Sequence, residues 1–392
     1  LDSIQVERQS AQDKQTLLGL VQVPAGDYDA LELKVVPVTA AAGQAGQVLK
    51  LRLPQIIPLE DGDSKCLFLT WHLDQCVDSN KVFIPKFTPR GQDSPLARDL
   101  LFALADEIRT LYLIRTDSRF VTAAIGLDGQ IGDMAVDPER KLLYLLNRTQ
   151  RSLESLDLSS LQVVDRIAVP LAIDPMYITL NTDRDVAFIS DPLARQVTKI
   201  DLDDGQVVAL QQTGFPPGQL LFVSLGSQGL VAVTTSRAQS VLLLDAESLA
   251  EQKTIATDLR PGHLLVVGDS LYVTEAGSQT VSSYDVATGQ RQGQVRVFGE
   301  PGELLGDPAD GKAYVSNLSA ERLNVLDDGQ LTSARSIALE LPAGDLALST
   351  RHGTLFVAHP GSATVTALDQ ISERVVGSVP LGAEVKILSI YE

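Results

Sequence analysis

Five side chains with carboxylate or imidazole donors stand at one point of a repeating sequence unit, the residue that enters the first strand. Across seven units this position reads Asp133, Met176, Gln219, His263, Glu303, Asp345 and Glu384. If the units close into a ring, the donors form one consecutive run, His263, Glu303, Asp345, Glu384 and Asp133. Hard cations such as calcium prefer carboxylate oxygens. The pattern predicts a candidate calcium site at a channel mouth; the alternative is solvated side chains too far apart to share an ion.

A second polar set follows the second strand of five units. It comprises Asn147, Asp191, Glu275, Asn317 and His359. Turns at these positions should share one face of the ring with the channel mouth, and loops that a rigid scaffold positions commonly carry binding residues. We therefore expect a polar and acidic binding face there.

Other chemical signatures are weak or missing from the sequence. It contains no G-x-S-x-G nucleophile motif and no H-E-x-x-H zinc motif, and its four histidines suggest no Ser/His/Asp set. Segment 306–313 is close to a phosphate-binding loop, but it lacks the closing Ser or Thr and lies between two predicted strands. A hairpin turn is the better interpretation, and we predict no catalytic residues and no resident cofactor beyond the candidate calcium ion.

The two cysteines, Cys66 and Cys76, stand ten residues apart along what reads as one strand. An extended strand of that length spans about 33 Å, whereas a disulfide requires Cα atoms within about 7 Å. A bridge is compatible only with a break in the strand. Three states stay open: an intrachain disulfide, two unbridged thiols, or an intermolecular bond.

The elements that position these residues belong to a repeat of about 40 to 45 residues. Each unit has a strand with a central anchor residue and, thirteen residues later, a strand that ends in Asp. The anchors are Tyr144, Phe188, Ala232, Tyr272, Tyr314 and Phe356, and the aspartates are Asp157, Asp201, Asp245, Asp285, Asp327 and Asp369. The aspartates are best explained as caps of turns. Four short strands per unit predict the blades of a β-propeller.

Two incomplete units at the ends of this region complement each other. Residues 100–126 supply the second, third and fourth strands of a blade, and residues 384–391 supply a lone first strand. Pairing them makes a seventh blade and removes the open edges of the repeat. We therefore predict a seven-bladed propeller over residues 100–392, closed by strand 384–391 with 100–126.

Residues 1–92 lack the repeat and read as short alternating strands, among them 28–33, 48–53 and 66–74. They predict a small Ig-like β-sandwich, joined to the propeller by a linker over residues 93–99. The complete fold is therefore expected to be all-β.

The strands Tyr272-Val273-Thr274 and Tyr314-Val315-Ser316-Asn317, with the Asp-ended strands that follow them, resemble the YVTN family of seven-bladed propellers. The resemblance covers residues 100–392, and the third unit departs from it at Ala232. Family members include bacterial surface and periplasmic proteins, and related propellers include lactonases and lyases. The resemblance thus implies a fold and a compartment more than an activity.

The segment Pro24-Ala25-Gly26-Asp27-Tyr28, with Leu73-Asp74 and Ile84-Pro85-Lys86 after it, resembles a domain of unknown function in bacterial surface lipoproteins. Domains of that family begin with strands that have no counterpart before Leu1. The resemblance implies a sandwich that is incomplete at its start, or a chain that begins upstream. An incomplete sandwich would accept a strand from a partner or from a second copy.

Charge and composition exclude several classes of function. The 392 residues carry 32 basic and 50 acidic side chains, a net charge of −18, which disfavours nucleic acid as a partner. No apolar run is long enough for a transmembrane helix. We predict a secreted, periplasmic or cell-surface scaffold without enzymatic activity, whose loops bind a protein or glycan partner. The alternative is a lactonase-like hydrolase or lyase with a metal at the channel mouth.

Overall fold

Seven four-stranded antiparallel sheets, arranged as the blades of a β-propeller, make up residues 100–392. The computed structural model describes residues 15–35, 47–72, 75–76, 84–92, 98–226, 228–307, 309–327, 331 and 334–392. The predicted all-β class and seven-bladed architecture are confirmed. None of the helices among the described residues is long and apolar enough to span a membrane.

The N-terminal region contributes two antiparallel hairpins. Its strands are β1 (Gly26–Val35), β2 (Gln47–Leu59), β3 (Phe68–Trp71) and β4 (Phe87–Arg90), paired β1–β2 and β3–β4. Leucines such as Leu31, Leu33 and Leu51 alternate along β1 and β2, yet each is only half-buried. The predicted sandwich is not confirmed, because alternation defines an apolar face without defining a second sheet to cover it. Most of the predicted linker, residues 93–97, lies outside the described residues.

The propeller strands follow in chain order, three for the closing blade and then four for each of six blades. The closing blade begins with β5 (Leu100–Ala105), β6 (Thr110–Arg115) and β7 (Val121–Gly126). Blades 1 to 3 contain β8 (Ile131–Asp137), β9 (Leu142–Asn147), β10 (Ser152–Asp157), β11 (Gln162–Ala168), β12 (Tyr177–Asn181), β13 (Val186–Asp191), β14 (Gln196–Asp201), β15 (Gln206–Gln212), β16 (Leu220–Leu225), β17 (Gln228–Thr235), β18 (Ser240–Asp245) and β19 (Glu251–Ala256).

Blades 4 to 6 continue with the same order of strands. They contain β20 (Pro261–Val267), β21 (Ser270–Glu275), β22 (Thr280–Asp285), β23 (Arg291–Arg296), β24 (Pro301–Asp307), β25 (Lys312–Asn317), β26 (Arg322–Asp327), β27 (Ala334–Ala338), β28 (Leu346–Ser349), β29 (Thr354–Ala358), β30 (Thr364–Asp369) and β31 (Arg374–Pro380). The last strand, β32 (Ile387–Tyr391), is the inner strand of blade 7 and pairs with β5, Ile387 opposite Leu104 and Tyr391 opposite Leu100.

The core lies between neighbouring blades. The anchor residues of the repeat are buried there, with Tyr144, Tyr314 and Phe356 at most 2% exposed. The repeated aspartates cap turns as predicted: Asp157 accepts hydrogen bonds from the backbone of Ser159 and Ser160. Equivalent caps occur at Asp201, Asp245, Asp285 and Asp369. A hydrogen bond from the Ser160 side chain, together with these backbone bonds, holds the pKa of Asp157 below its usual range.

Side chains from the N-terminal region cover the outer strand of the closing blade. The Gln15 amide donates from Nε2 to the Val121 carbonyl (3.1 Å) and accepts from the Val121 N–H (2.8 Å), as a neighbouring strand would. Gln92 Oε1 accepts from the backbone N–H of both Cys66 and Ala124. The outer edge of β7 is therefore partly satisfied by the chain itself.

Candidate functional site

The first strands of the blades surround a central channel, and one inward position repeats in all of them. In each blade, one residue of the first strand pairs with the residue that follows the anchor; Met134 pairs in this way with Leu145, and Leu388 with Ala103. The inward position is the residue directly before that first-strand residue. The seven residues at this position are Asp133, Tyr177, Gln219, His263, Glu303, Asp345 and Ile387. The channel mouth thus contains four of the five predicted donors.

Two members of the predicted ring stand elsewhere. Met176 precedes β12, and the equivalent position is taken by Tyr177. Glu384 lies three residues before the equivalent Ile387, and its carboxylate accepts a hydrogen bond from the Gly361 N–H (2.9 Å). The expected consecutive run of donors is therefore interrupted by Ile387, which separates Asp345 from Asp133 around the ring. The sequence did not reveal this register, because the last unit consists of a first strand alone and has no anchor residue after it from which to count.

Three carboxyl groups, Asp133, Glu303 and Asp345, interact within this channel mouth, and we call them the carboxyl cluster. Burial raises the pKa of Glu303 well above its usual value, and the negative charges of Asp345 and Asp133 raise it further. Burial also raises the pKa of Asp345. Both members of this neighbouring pair are therefore shifted towards their neutral forms.

The other members of the channel mouth are perturbed in the same sense, towards neutral forms. Burial raises the pKa of Asp133 to about 7, against the opposing effect of hydrogen bonds from Ile178 and Met134. Burial also lowers the pKa of His263 to about 4. His263 Nδ1 lies 3.6 Å from Glu303 Oε2 and, among the described residues, has no hydrogen-bond partner. Desolvation is the largest cause of each of these shifts, and it favours the neutral form of every group.

Two of the carboxylates also join neighbouring blades. Asp133 Oδ2 accepts a hydrogen bond from the Ile178 N–H of the next blade (3.0 Å), and Asp345 Oδ2 accepts one from Leu388. Gln219 does the same with the N–H of Leu264 (2.7 Å). These side chains therefore have a structural role at the channel wall besides any role in binding.

A sequence signal for the channel position exists and was missed. Glycine directly precedes it in five blades, at Gly132, Gly218, Gly262, Gly302 and Gly344. At Gly218 an added Cβ would stand 2.6 Å from Thr234 Oγ1, and at Gly302 one would stand 2.7 Å from Ser316 Oγ. The close approach of the second strand therefore requires glycine, and the residue after it faces the channel.

The five residues predicted as the binding face are buried. Asn147, Asp191, Glu275, Asn317 and His359 are each at most 2% exposed. Asn317 Oδ1 accepts from the N–H groups of Ser319 and Ala320, and so closes the turn that follows it. This corrects the expectation that their side chains meet a partner: polar residues after a strand end here serve as turn caps.

Glu275 is the most heavily bonded member of that set. Its carboxylate accepts hydrogen bonds from Thr280 Oγ1 and Ser282 Oγ (2.7 Å each) and from Tyr284 Oη and the Asp258 N–H (2.9 Å each). It therefore ties the loop before blade 4 to two strands within that blade. His359 similarly joins the Pro342 carbonyl to Thr366, 2.7 Å from each.

The surface above these buried caps is apolar over five consecutive blade boundaries. The turns between second and third strands and the loops between blades share one face, because Ile131 at the start of β8 pairs with Asn147 at the end of β9. We call it the upper face. Eight of its side chains are 37–76% exposed, and they form what we call the apolar crescent: Leu171, Ile173, Leu193, Phe215, Leu259, Phe298, Leu318 and Leu341.

The crescent is confined to one part of the molecule. The remaining two blade-to-blade loops, 127–130 and 381–386, are fully described and expose no large apolar side chain. In the described turns of the opposite face, only Phe120 and Ile371 are exposed large apolar residues. A concentration of exposed apolar side chains on one face is a feature of interaction sites.

Three basic side chains of the upper face are engaged with neighbouring groups. Arg148 binds Asp174 with both ends of its guanidinium (2.7 and 2.9 Å), and Arg260 reaches Glu300 (2.8 Å). Arg322 stacks over the Phe298 ring at 4.0 Å. No group of three or more His, Cys, Asp or Glu side chains suited to hold a metal occurs within the described ranges.

The cysteines are free thiols in this structure. Cys66 packs against the core between blades 6 and 7, and burial raises the pKa of its thiol to about 11. Cys76 is buried in the second hairpin, where its sulfur accepts a hydrogen bond from Trp71 Nε1 (3.1 Å). The raised pKa of Cys66 is the opposite of the lowered pKa of a reactive cysteine.

Comparison with solved structures identifies the same fold in unrelated sequences. A functionally unknown protein from Desulfotomaculum acetoxidans is similar with a TM-score of 0.67 and 16% identity, over 75% of this chain and 99% of that one. The dihydro-heme d1 dehydrogenase NirN in complex with DHE gives 0.58 and 13%, over 74% and 65%. The Cps50 (Swd1) β-propeller domain of Myceliophteria thermophila gives 0.57 and 10%, over 66% and 89%. At these identities the likeness shows the fold alone.

No protein-family model matches the chain, and no curated protein matches it either.

Proposed function

We propose that this chain is a binding and scaffold protein without enzymatic activity, and that its upper face holds a protein or glycan partner. The observation that carries the proposal is the apolar crescent. Its eight exposed side chains lie on five adjacent blade boundaries rather than scattered over the surface. Exposed apolar area of this kind is costly in water and is commonly covered by a partner.

A location at a bacterial cell surface, in the periplasm or in the secreted fraction is part of this proposal. It is supported by the resemblance of the Tyr-Val-x-Asn-like strands to the YVTN family and of segment 24–28 to surface lipoproteins. The net charge of −18 supports a partner other than nucleic acid.

Strand addition at the N-terminal region is a further part of the proposal. Strands β1 and β2 form a two-stranded ladder, and no third strand joins it among the described residues. Such a ladder is only marginally stable in water by itself, and both of its edges carry unpaired backbone groups. A strand from a partner or a second copy would supply those hydrogen bonds.

Affinity capture with the immobilised chain tests the role of the upper face. The double variant Leu259→Ser/Phe298→Ser removes two crescent side chains, while Val164→Ser/Val376→Ser removes two apolar side chains from outer strands as a matched control. We expect a partner to be retained by wild type and control and lost by the crescent variant. Equal retention by all three proteins would contradict the proposal.

A second candidate function is a metal-assisted hydrolase or lyase at the channel mouth. The perturbed pKa values of Asp133, Glu303 and His263 support it, because such shifts are concentrated at functional sites. Calcium bound there would raise the melting temperature of the wild type by mass action, and Glu303→Gln would abolish that rise. An unchanged melting temperature at millimolar calcium, with no turnover of lactone substrates, would argue against this function.

A further inference from the structure

We propose that the partner is a polypeptide that places one Lys or Arg side chain in the channel mouth, with its flanking apolar residues packed on the crescent. This inference rests on the proposed function, and it adds the chemistry that the partner must present.

The first step is the missing positive charge. Asp133, Glu303 and Asp345 face one another, and among the described residues no Lys or Arg forms an ion pair with any of them. Two cations of the upper face are engaged elsewhere, Arg148 with Asp174 and Lys386 with Asp106. Without a cation, burial shifts these carboxyl groups towards their neutral forms, and a cation placed between them would let them ionise and pair with it. The cluster therefore has a place for a positive charge that the chain itself does not supply.

The second step is the unmet hydrogen-bonding capacity beside the cluster. His263 Nδ1 is buried without a hydrogen-bond partner in the described part of the chain. A guanidinium has five N–H donors in a planar fork, so it could donate to this nitrogen and to the Glu303 and Asp345 carboxylates together. The carboxyl groups come from different blades and are spread across a channel, which suits a wide fork or a long amine better than a compact ion.

The third step is the continuity of the channel mouth with the crescent. Leu318 packs directly on Gly302, where an added Cβ would stand 3.0 Å from Leu318 Cδ2, and Glu303 is the next residue. If a partner's side chain enters the channel, the residues before and after it in the partner would therefore lie close to the apolar crescent.

The charge distribution also favours one kind of occupant. A second copy bound through its own upper face would set two carboxyl clusters against each other in a chain that already carries −18. A polysaccharide would meet mainly Leu and Ile side chains, which offer it no hydrogen bonds. A polypeptide with a cationic residue between apolar residues matches both parts of the surface.

Selection from a random peptide library on the intact chain tests this inference. Recovered peptides are synthesised, and their dissociation constants are measured against wild type and Glu303→Gln/Asp345→Asn, which keeps the shape of the cluster. Asp165→Asn on the exposed strand β11 is the control for lost charge. We expect peptides with Arg or Lys between apolar residues, at least tenfold weaker binding to the cluster variant, unchanged binding to the control, and loss of binding when Arg or Lys becomes Gln.

The outcomes separate this inference from the proposed function. The inference is overturned if the selected peptides lack Arg and Lys, or if they bind the cluster variant as tightly as the wild type. If Leu259→Ser/Phe298→Ser still weakens the binding of those peptides, the proposed function stands. Peptides that ignore both variants contradict both. The inference is also overturned if no peptide is selected, or if the crescent captures a protease-resistant glycan. The affinity capture described above then decides the proposed function.

Discussion

Glu303 of blade 5 and Asp345 of blade 6 are neighbours at the mouth of the channel, where the negative charge of Asp345 adds to the burial that raises the pKa of Glu303. Asp345 in turn accepts the Leu388 N–H of blade 7. The pair thus lies at a contact that joins blades 6 and 7. Its protonation state depends on burial and on the nearby charge of Asp133.

The stability of the propeller should fall as the pH rises through the neutral range. Folding raises the pKa values of Glu303 and Asp133, so their stabilisation is complete below the unfolded values and is lost as the pH rises through the folded ones. His263 has the opposite sign, but it is mostly neutral in both states above about pH 6.5.

Glu303→Gln tests this sign. We expect the melting temperature of the wild type to fall relative to that of Glu303→Gln, by on the order of 2 °C, as the pH rises from about 4.5, the ordinary Glu value, through the neutral range. The exposed substitution Glu139→Gln is the control and should follow the wild type. Parallel pH profiles for wild type and Glu303→Gln would show that Glu303 is ionised throughout.

Glu275→Ala should be among the most destabilising single substitutions in blade 4. It leaves three buried or half-buried hydroxyl groups and one backbone N–H without their acceptor, at about 1–3 kcal/mol for each group left unsatisfied. We expect a loss of roughly 3 kcal/mol or more in the free energy of unfolding, measured in urea. Glu139→Ala is the matched exposed control. A loss below about 1 kcal/mol would mean that water replaces the carboxylate.

Gly302→Ala tests the close approach of strands at the channel wall. The new methyl group would meet Ser316 Oγ at 2.7 Å and Leu318 Cδ2 at 3.0 Å, so we expect a loss of about 1–3 kcal/mol. Gly214→Ala, with no heavy atom within 4 Å of its added Cβ, should change stability little. Equal effects of the two substitutions would contradict a steric requirement for glycine before the channel residue.

Truncation before Ile387 should open the ring. It removes β32, exposes the inner edge of β5 and deprives Asp345 of the Leu388 N–H. We expect a sharp fall in melting temperature and increased dye binding to apolar surface, whereas a chain that ends at Tyr391 keeps the strand and should melt much as the full chain does. An unchanged melting temperature for the longer truncation would show that β32 contributes nothing to closure.

The number and order of the blades could be predicted from the sequence because the same physical requirement recurs in each. A buried anchor such as Tyr144 or Phe356 lies thirteen residues before an aspartate that must cap a turn, and six repetitions fix the period. In the N-terminal region, by contrast, the alternating leucines of β1 and β2 indicate an apolar face but not what covers it. The sandwich therefore stays a prediction.

The channel residues were predicted in part, because register depends on strand contacts that a single position does not reveal. The channel position is occupied by Asp133, His263, Glu303 and Asp345, but not by Glu384. Each of those four residues directly follows a glycine that allows a close approach of strands, and in the last unit no glycine stands directly before the channel position. The buried caps were misread for a different reason. Asn317 and Asp191 have the polarity of exposed loop residues, and only their hydrogen bonds show that they face inward.

The pairing of β32 with β5 can form only late in the synthesis of the chain. Ile387 lies opposite Leu104, which is 283 residues earlier in the chain. Every residue of β5 is fully buried in the finished ring, yet its inner edge has no partner until the last strand has been made. At 5–20 residues per second, the ribosome needs roughly 15–60 s to make that stretch. During this interval the Leu-Leu-Phe-Ala-Leu-Ala strand keeps an unpaired edge, and we expect chaperones to bind it.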